Sequence, residues 1–200
     1  MVMRSSSPGF GSRALAVLLW MAVSAGGAAP ALAAPPPDIQ RSVRHYRVPE
    51  ARVQAADGQV LTLKRALSDG RPVVLSFMFS SCLTVCPITN QTLVQFEALL
   101  GPERARVHVV SMSIDPDHDT VSRLADFARQ TGASGSFYTS DPGTSEAIQR
   151  AFDVWRGDKM NHQPVFLLAR DPDKDWVRLE GLVSPRILMK EYRALSLPPP

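Results

Sequence analysis

The chain of 200 residues contains only two cysteines, and its charged content is low at 20%. Two cysteines are too few for a disulfide scaffold or a four-cysteine zinc site. Charge this sparse, beside 44% apolar residues, excludes an intrinsically disordered chain. No run of Lys and Arg with interleaved aromatics is present, so the formal net charge of +3 does not mark a nucleic-acid-binding protein. Low-complexity segments and internal repeats are also lacking between the prolines at Pro35-Pro36-Pro37 and Pro198-Pro199-Pro200. That leaves one body of chain long enough to bury a proper core.

Acid is missing altogether from residues 1–33, whose only charges are Arg4 and Arg13. An apolar stretch follows from Ala14 to Ala25 and ends in Ala31-Leu32-Ala33. A basic start, a short apolar core and an A-x-A site read as a cleaved secretory signal. A spanning helix needs roughly 20 apolar residues, and Gly26, Gly27 and Pro30 interrupt this one. An uncleaved anchor is the alternative. Without residues 1–33 the chain has 20 bases against 19 acids, and its basic character largely disappears. The expected organisation is a signal at 1–33, a proline-rich linker at 34–42, one domain at 43–195 and a proline-rich tail at 196–200. The expected location is periplasmic or otherwise exported.

Within the body, apolar runs and helical periodicities alternate, opening with residues 60–67 as a short strand or helical turn that ends at Asp69-Gly70. Residues 72–79 and 106–114 read as strands buried on both faces. Residues 87–100 read as an amphipathic helix with a proline near its start, stopped by Gly101-Pro102. Residues 120–130 form a second helix, with Asp119 or Thr120 as N-cap and Gly132 past its end. A short strand at 137–139, a helix at 145–155, a hairpin of 165–169 with 176–180 and a last helix from Ser184-Pro185 to Leu195 complete the series. The order β-α-β-α-(β)-α-β-β-α predicts a mixed α/β single domain, a central mixed sheet flanked by helices in a thioredoxin-like arrangement.

Cys82 and Cys86 lie where the first buried strand runs into the first long helix, in Phe79-Ser80-Ser81-Cys82-Leu83-Thr84-Val85-Cys86-Pro87. A helix N-terminus carries unsatisfied N–H groups and partial positive charge, which lower a thiol pKa and favour the thiolate. The C-x-x-x-C spacing leaves three uses open: a metal-binding pair, a redox dithiol, or a local structural disulfide. The last gains little because so short a loop contributes little chain entropy. A thiol peroxidase would need Thr three residues before the cysteine, where Phe79 stands. His162 precedes the predicted strand at 165–169, and two thiolates with one imidazole suit copper, especially Cu(I). His108 reads as a satisfied strand residue and His45 lies near the mature N-terminus. His118, with Asp115, Asp117 and Asp119, reads as a helix-capping turn, since the spacing of a calcium loop is not present.

Taken in order, Cys82-x-x-x-Cys86-Pro87, Ser111-Met112-Ser113-Ile114-Asp115-Pro116, Asp119-Thr120 and His162 before an apolar strand resemble the Sco/SenC family of thioredoxin-fold, copper-binding cytochrome c oxidase assembly proteins. The resemblance implies a copper ion held by Cys82, Cys86 and His162, with Asp115 in support. It implies an exported metallochaperone rather than an enzyme. The partner would be the copper-bearing subunit of cytochrome c oxidase or another copper-handling protein, with membrane association if the leader is retained. The alternative is a thiol-disulfide oxidoreductase using Cys82 and Cys86 as its redox pair. Two positions depart from the pattern: Leu83-Thr84 stands where many members carry Pro-Asp, and Gln163 where many carry Ser.

Overall fold

A computed structural model describes residues 39–196; the signal, most of the linker and the last four residues of the tail lie outside the described residues. Two six-residue strands buried at every position form the centre of an eight-stranded sheet. These are β4 (Val73–Met78) and β5 (His108–Ser113), paired in parallel from Val73–His108 to Met78–Ser113. Continuous burial on both faces is what a parallel pair covered by helices requires. The other strands are β1 (Gln40–His45), β2 (Arg52–Ala55), β3 (Val60–Thr62), β6 (Ser136–Thr139), β7 (Val165–Ala169) and β8 (Asp175–Glu180), and the sheet runs β1-β8-β7-β4-β5-β6-β2-β3. β6 continues parallel to β5, while β7 lies antiparallel to β4 and forms the expected hairpin with β8.

The helices are α1 (Leu63–Leu67), α2 (Val85–Leu100), α3 (Val121–Thr131), α4 (Pro142–Ala151) and α5 (Pro185–Ser196). One sheet face packs Val74, Val109, Phe166 and Leu179 against Leu93 and Phe96 of α2 and Leu188 and Tyr192 of α5. The opposite face holds Val73, Leu75, Phe77, Val110, Met112 and Leu167 with Leu124 of α3 and Ile148 of α4. Alternating neighbours along β4 thus serve two cores, as a two-residue side-chain period dictates. An aromatic group fills the second face: Phe152 lies 5.3 Å from Tyr46, 5.8 Å from Phe77 and 5.5 Å from Trp176 between ring centroids.

Three differences from the sequence reading have local causes. β1 begins at Gln40, inside the stretch read as linker, because antiparallel pairing with β8 orders it although its side chains are mostly exposed. β2 buries only Val53 and Ala55, too little for an apolar signal, and the stretch 60–67, expected as a short strand or a helical turn, holds both, β3 and then a short helix. α4 starts three residues before the expected Ser145, since Pro142 takes the first helical position and the Asp141 carboxylate accepts the Thr144 N–H at 2.9 Å. α3 is capped by Thr120, whose hydroxyl accepts the Arg123 N–H, and ends in left-handed Gly132.

Buried Arg178 of β8 fixes the start of the segment after α4. Its guanidinium donates to the Phe152 and Asp153 carbonyls at 2.9 and 3.0 Å, to the Tyr46 hydroxyl at 3.1 Å and to Glu180 at 2.8 Å. A buried cation is tolerable because those donors are satisfied.

Candidate functional site

Parallel pairing puts the carboxyl ends of β4 and β5 side by side, and antiparallel pairing brings the start of β7 to the same edge. Ligand sites of open α/β sheets lie outside such strand ends. The chain leaving β4 enters the cysteine turn, the chain leaving β5 enters the turn at Asp115–Asp119, and the chain entering β7 carries His162. Register alone therefore gathers the three segments that the sequence singled out.

Cys82 lies in the turn and Cys86 is the second residue of α2; both are buried free thiols. Thr84, the N-cap of α2, makes no side-chain capping bond. The Cys82 sulfur takes that role, accepting the Cys86 N–H at 3.4 Å, and Thr84 Oγ1 lies 3.7 Å from the same sulfur. Burial opposes ionisation of Cys82, yet hydrogen bonds from the Cys86 thiol, the Cys86 and Thr84 N–H groups and the Thr84 hydroxyl outweigh it and lower its pKa. Burial, then donation of its own hydrogen to Cys82, pushes the Cys86 thiol up to about 12. The pair is asymmetric: its surroundings lower the pKa of the Cys82 sulfur and raise that of the Cys86 sulfur.

His162 is buried, and its Nε2 lies 3.0 Å from the Phe77 carbonyl near the end of β4. A carbonyl only accepts, so Nε2 carries the hydrogen and Nδ1 has the free lone pair. Nδ1 is buried without a hydrogen-bond partner. Burial lowers the His162 pKa and outweighs the opposing Phe77 bond, so the ring is neutral at neutral pH. A neutral imidazole whose N–H is held by a backbone carbonyl has the tautomer and orientation of a metal ligand. Among the described residues, however, no group of three or more His, Cys, Asp or Glu side chains is gathered closely enough to hold a metal ion. The cysteines meet each other, and the imidazole does not join them in this conformation.

Two carboxylates of the β5–α3 turn support the site. Asp119 is fully buried and accepts both oxygens' bonds from the Ser80 N–H at 3.1 Å, a bond from the Ser80 hydroxyl, and one from the Ser113 hydroxyl at 2.6 Å. It thereby ties the cysteine turn to the end of β5. Asp115, the supporting residue of the sequence reading, pairs with Lys159 on the histidine segment. The Lys159 ammonium also lies 5.6 Å from the Phe79 ring centroid. Asp119 drew attention in the sequence only as a helix cap, and Ser80, Lys159 and Arg178 drew none.

The other histidines fall elsewhere. His45 lies 3.4 Å from Asp175 in an exposed pair, and His118 contacts the Arg123 guanidinium. His108 is buried in β5 with Nδ1 3.2 Å from Asp69, without the alignment of a hydrogen bond. None of the three reaches the cysteine turn as a metal ligand.

A model of the SCO1/SenC family matches residues 36–180. A curated relative, the SCO1 protein homolog of Bacillus subtilis, is 29% identical over 84 residues, a match spanning 42% of this chain and 42% of that protein. The structure of Bradyrhizobium japonicum ScoI with copper bound superposes with a TM-score of 0.62 at 18% identity, covering 72% of this chain and 96% of that one. BsSco, a Sco-family cytochrome c oxidase assembly protein with a disulfide switch, gives 0.62 at 23% identity, covering 76% and 94%. The fold is thioredoxin-like, as in these structures.

Proposed function

The chain belongs to the SCO1/SenC family, and from that premise we propose that it is an exported copper chaperone serving assembly of the dinuclear copper site of cytochrome c oxidase. Copper is its cargo. The observation that carries the reading is a donor set of unequal readiness: Cys82 with its pKa lowered, Cys86 with its pKa pushed up to about 12, and a neutral His162 whose buried Nδ1 lacks a partner. Soft thiolates and an imidazole match Cu(I), and binding displaces the Cys86 proton. The Cys82–Cys86 pair receives the ion and His162 supplies the third donor, brought in by adjustment of its segment. Copper-bound relatives with the same fold support the assignment. Ligand exchange then passes the ion to the copper-bearing subunit or to another copper-handling protein.

Anaerobic copper titration of the reduced full chain tests this. The expected result is about one tightly bound copper per chain, consistent with a single two-thiolate site. Cys82→Ser, Cys86→Ser and His162→Ala are each expected to lose tight, stoichiometric binding. Retention by all three variants overturns the reading.

The unequal thiols also favour a second reading, reduction of a partner's disulfide. The Cys82 thiolate attacks one partner sulfur and releases the other as a thiolate. Cys86 then loses its proton, attacks the Cys82 sulfur and releases the second partner thiolate, so that two electrons pass to the partner. Copper-independent reduction of an oxidase-derived disulfide peptide distinguishes the two.

A further inference from the structure

α2 begins at the cysteine site and points away from it. Of its 16 residues only Glu97 is charged, and Glu97 is buried. The outward face is Pro87, Ile88, Gln91, Gln95, Ala98 and Leu99, with Ile88 48% and Leu99 50% exposed. Surface helices ordinarily carry charge on the side away from the core. This one presents an uncharged stripe about 18 Å long at 1.5 Å per residue. At its start stands the cysteine turn, where Leu83 is 90% exposed.

The far end of the stripe opens into a groove between α2 and α5. One part, of about 550 Å³, is lined by Leu99, Met189 and Ala194 with Arg186, Lys190 and Arg193. A second part, of about 480 Å³, adjoins it through Leu99 and Arg186. The three cations occupy one stripe of α5, at spacings of four and three residues. All three are exposed, and none makes an ion pair or side-chain hydrogen bond with any described residue. No carboxylate lines either part of the groove. The only charge that lines the groove is positive.

We propose that the uncharged face of α2 and the Arg186–Lys190–Arg193 groove form the docking surface for a partner protein that carries an acidic patch about 20 Å from its own copper- or thiol-bearing loop. The partner's apolar surface covers Leu83 and Ile88 while its acidic patch enters the groove. This rests on the proposed function, since it supplies the surface that aligns a recipient with Cys82. The cations set encounter rate and orientation, and the charge-free stripe lets the partner slide into register at little desolvation cost. A bilayer is the poorer occupant: laid along the stripe, it would cover the cysteine turn that must meet a protein.

The test uses a dye-labelled helical peptide with four glutamates at one end and two cysteines about 20 Å away, together with a sibling carrying lysines instead. Binding to the full chain is read by fluorescence anisotropy at low salt, without copper. The acidic peptide is expected to bind and the lysine sibling not to bind. R186E/K190E/R193E is expected to weaken the acidic peptide by roughly tenfold and to bind the lysine sibling instead; R186Q/K190Q/R193Q should fall between. Copper stoichiometry and copper release to dithiothreitol, a small neutral dithiol, should be unchanged in both variants. Equal binding of both peptides, or no effect of charge reversal, overturns the docking surface whatever the copper titration shows. So does charge-dependent sedimentation with phosphatidylglycerol vesicles if peptide binding is unaffected. Loss of copper binding in the unmodified chain, with peptide binding intact, overturns the chaperone reading instead.

Discussion

Asp115 and Asp119 belong to one turn and hold opposite halves of the same site by different means. Asp119 is sealed from solvent and takes its bonds from Ser80 and Ser113, three short groups on two adjoining strand ends. Asp115 reaches a long lysine whose side chain is 41% exposed, on a short 3-10 turn at Lys159–Asn161. Asp119 has bonds from three groups at the strand ends, each worth about 1.5–3 kcal/mol for a charged acceptor, whereas buried Asp115 has one ion pair, to a lysine partly in solvent. The cysteine half is therefore built rigid and the histidine half is built to yield. On the proposed function, that combination suits a carrier: a fixed pair of sulfurs would define the ion's position, and a third donor would approach and withdraw.

The largest effect should come from the rigid half. Asp119→Ala leaves the Ser80 N–H and the Ser113 hydroxyl without their acceptor, and should cost about 3 kcal/mol or more in urea unfolding. A cost below about 1 kcal/mol would abolish the contrast. Next comes the proton balance of the thiols. Cys86 has its pKa raised in the folded state, so the stability it contributes is full below about 9 and is lost as pH rises towards about 12. Unfolding measured at increasing alkaline pH should show that decline, and Cys86→Ala should flatten it. Iodoacetamide should label Cys82 at pH values where Cys86 is spared.

A smaller effect lies on the acid side. His162 has its pKa lowered, so its contribution is full above about 6.5 and falls as pH drops towards the folded value. His108, lowered chiefly by burial, adds a slope of the same sign. His162→Gln should reduce the acid-side loss without removing it. Lys159→Met leaves the buried Asp115 carboxylate without its cation and is expected to cost about 1–2 kcal/mol, less than Asp119→Ala. It should speed hydrogen exchange across residues 157–162 while leaving the cysteine turn unchanged. Equal acceleration in both segments would show that the halves move together.

Sequence legibility followed burial and range. β4, β5 and the β7–β8 hairpin could be read because burial of most positions concentrates apolar residues in each of them. β1 could not, since QRSVRH has one apolar residue and owes its order to a partner strand remote in sequence. The cysteine turn stood out because its spacing and helix start are local. The groups that hold it do not share that property: Ser80 finds Asp119, Lys159 finds Asp115 and Arg178 finds Phe152 only after the sheet has brought them together. Its place before a predicted strand singled out His162, and the resemblance repeated it, but neither told that its ring is anchored to Phe77.

The outermost strand sets a condition on when the molecule can be finished. Arg41 of β1 faces Leu179 of β8, so the first strand of the domain has no place in the sheet until nearly all the chain is present. Contacts so distant in sequence form late, because loop closure must precede any gain from them. A chain emerging N-terminus first would hold residues 40–45 in waiting throughout. Their arginines and polar groups keep that waiting strand soluble and discourage pairing with a second chain. The same residues that hid β1 from a hydrophobicity reading make its delay harmless.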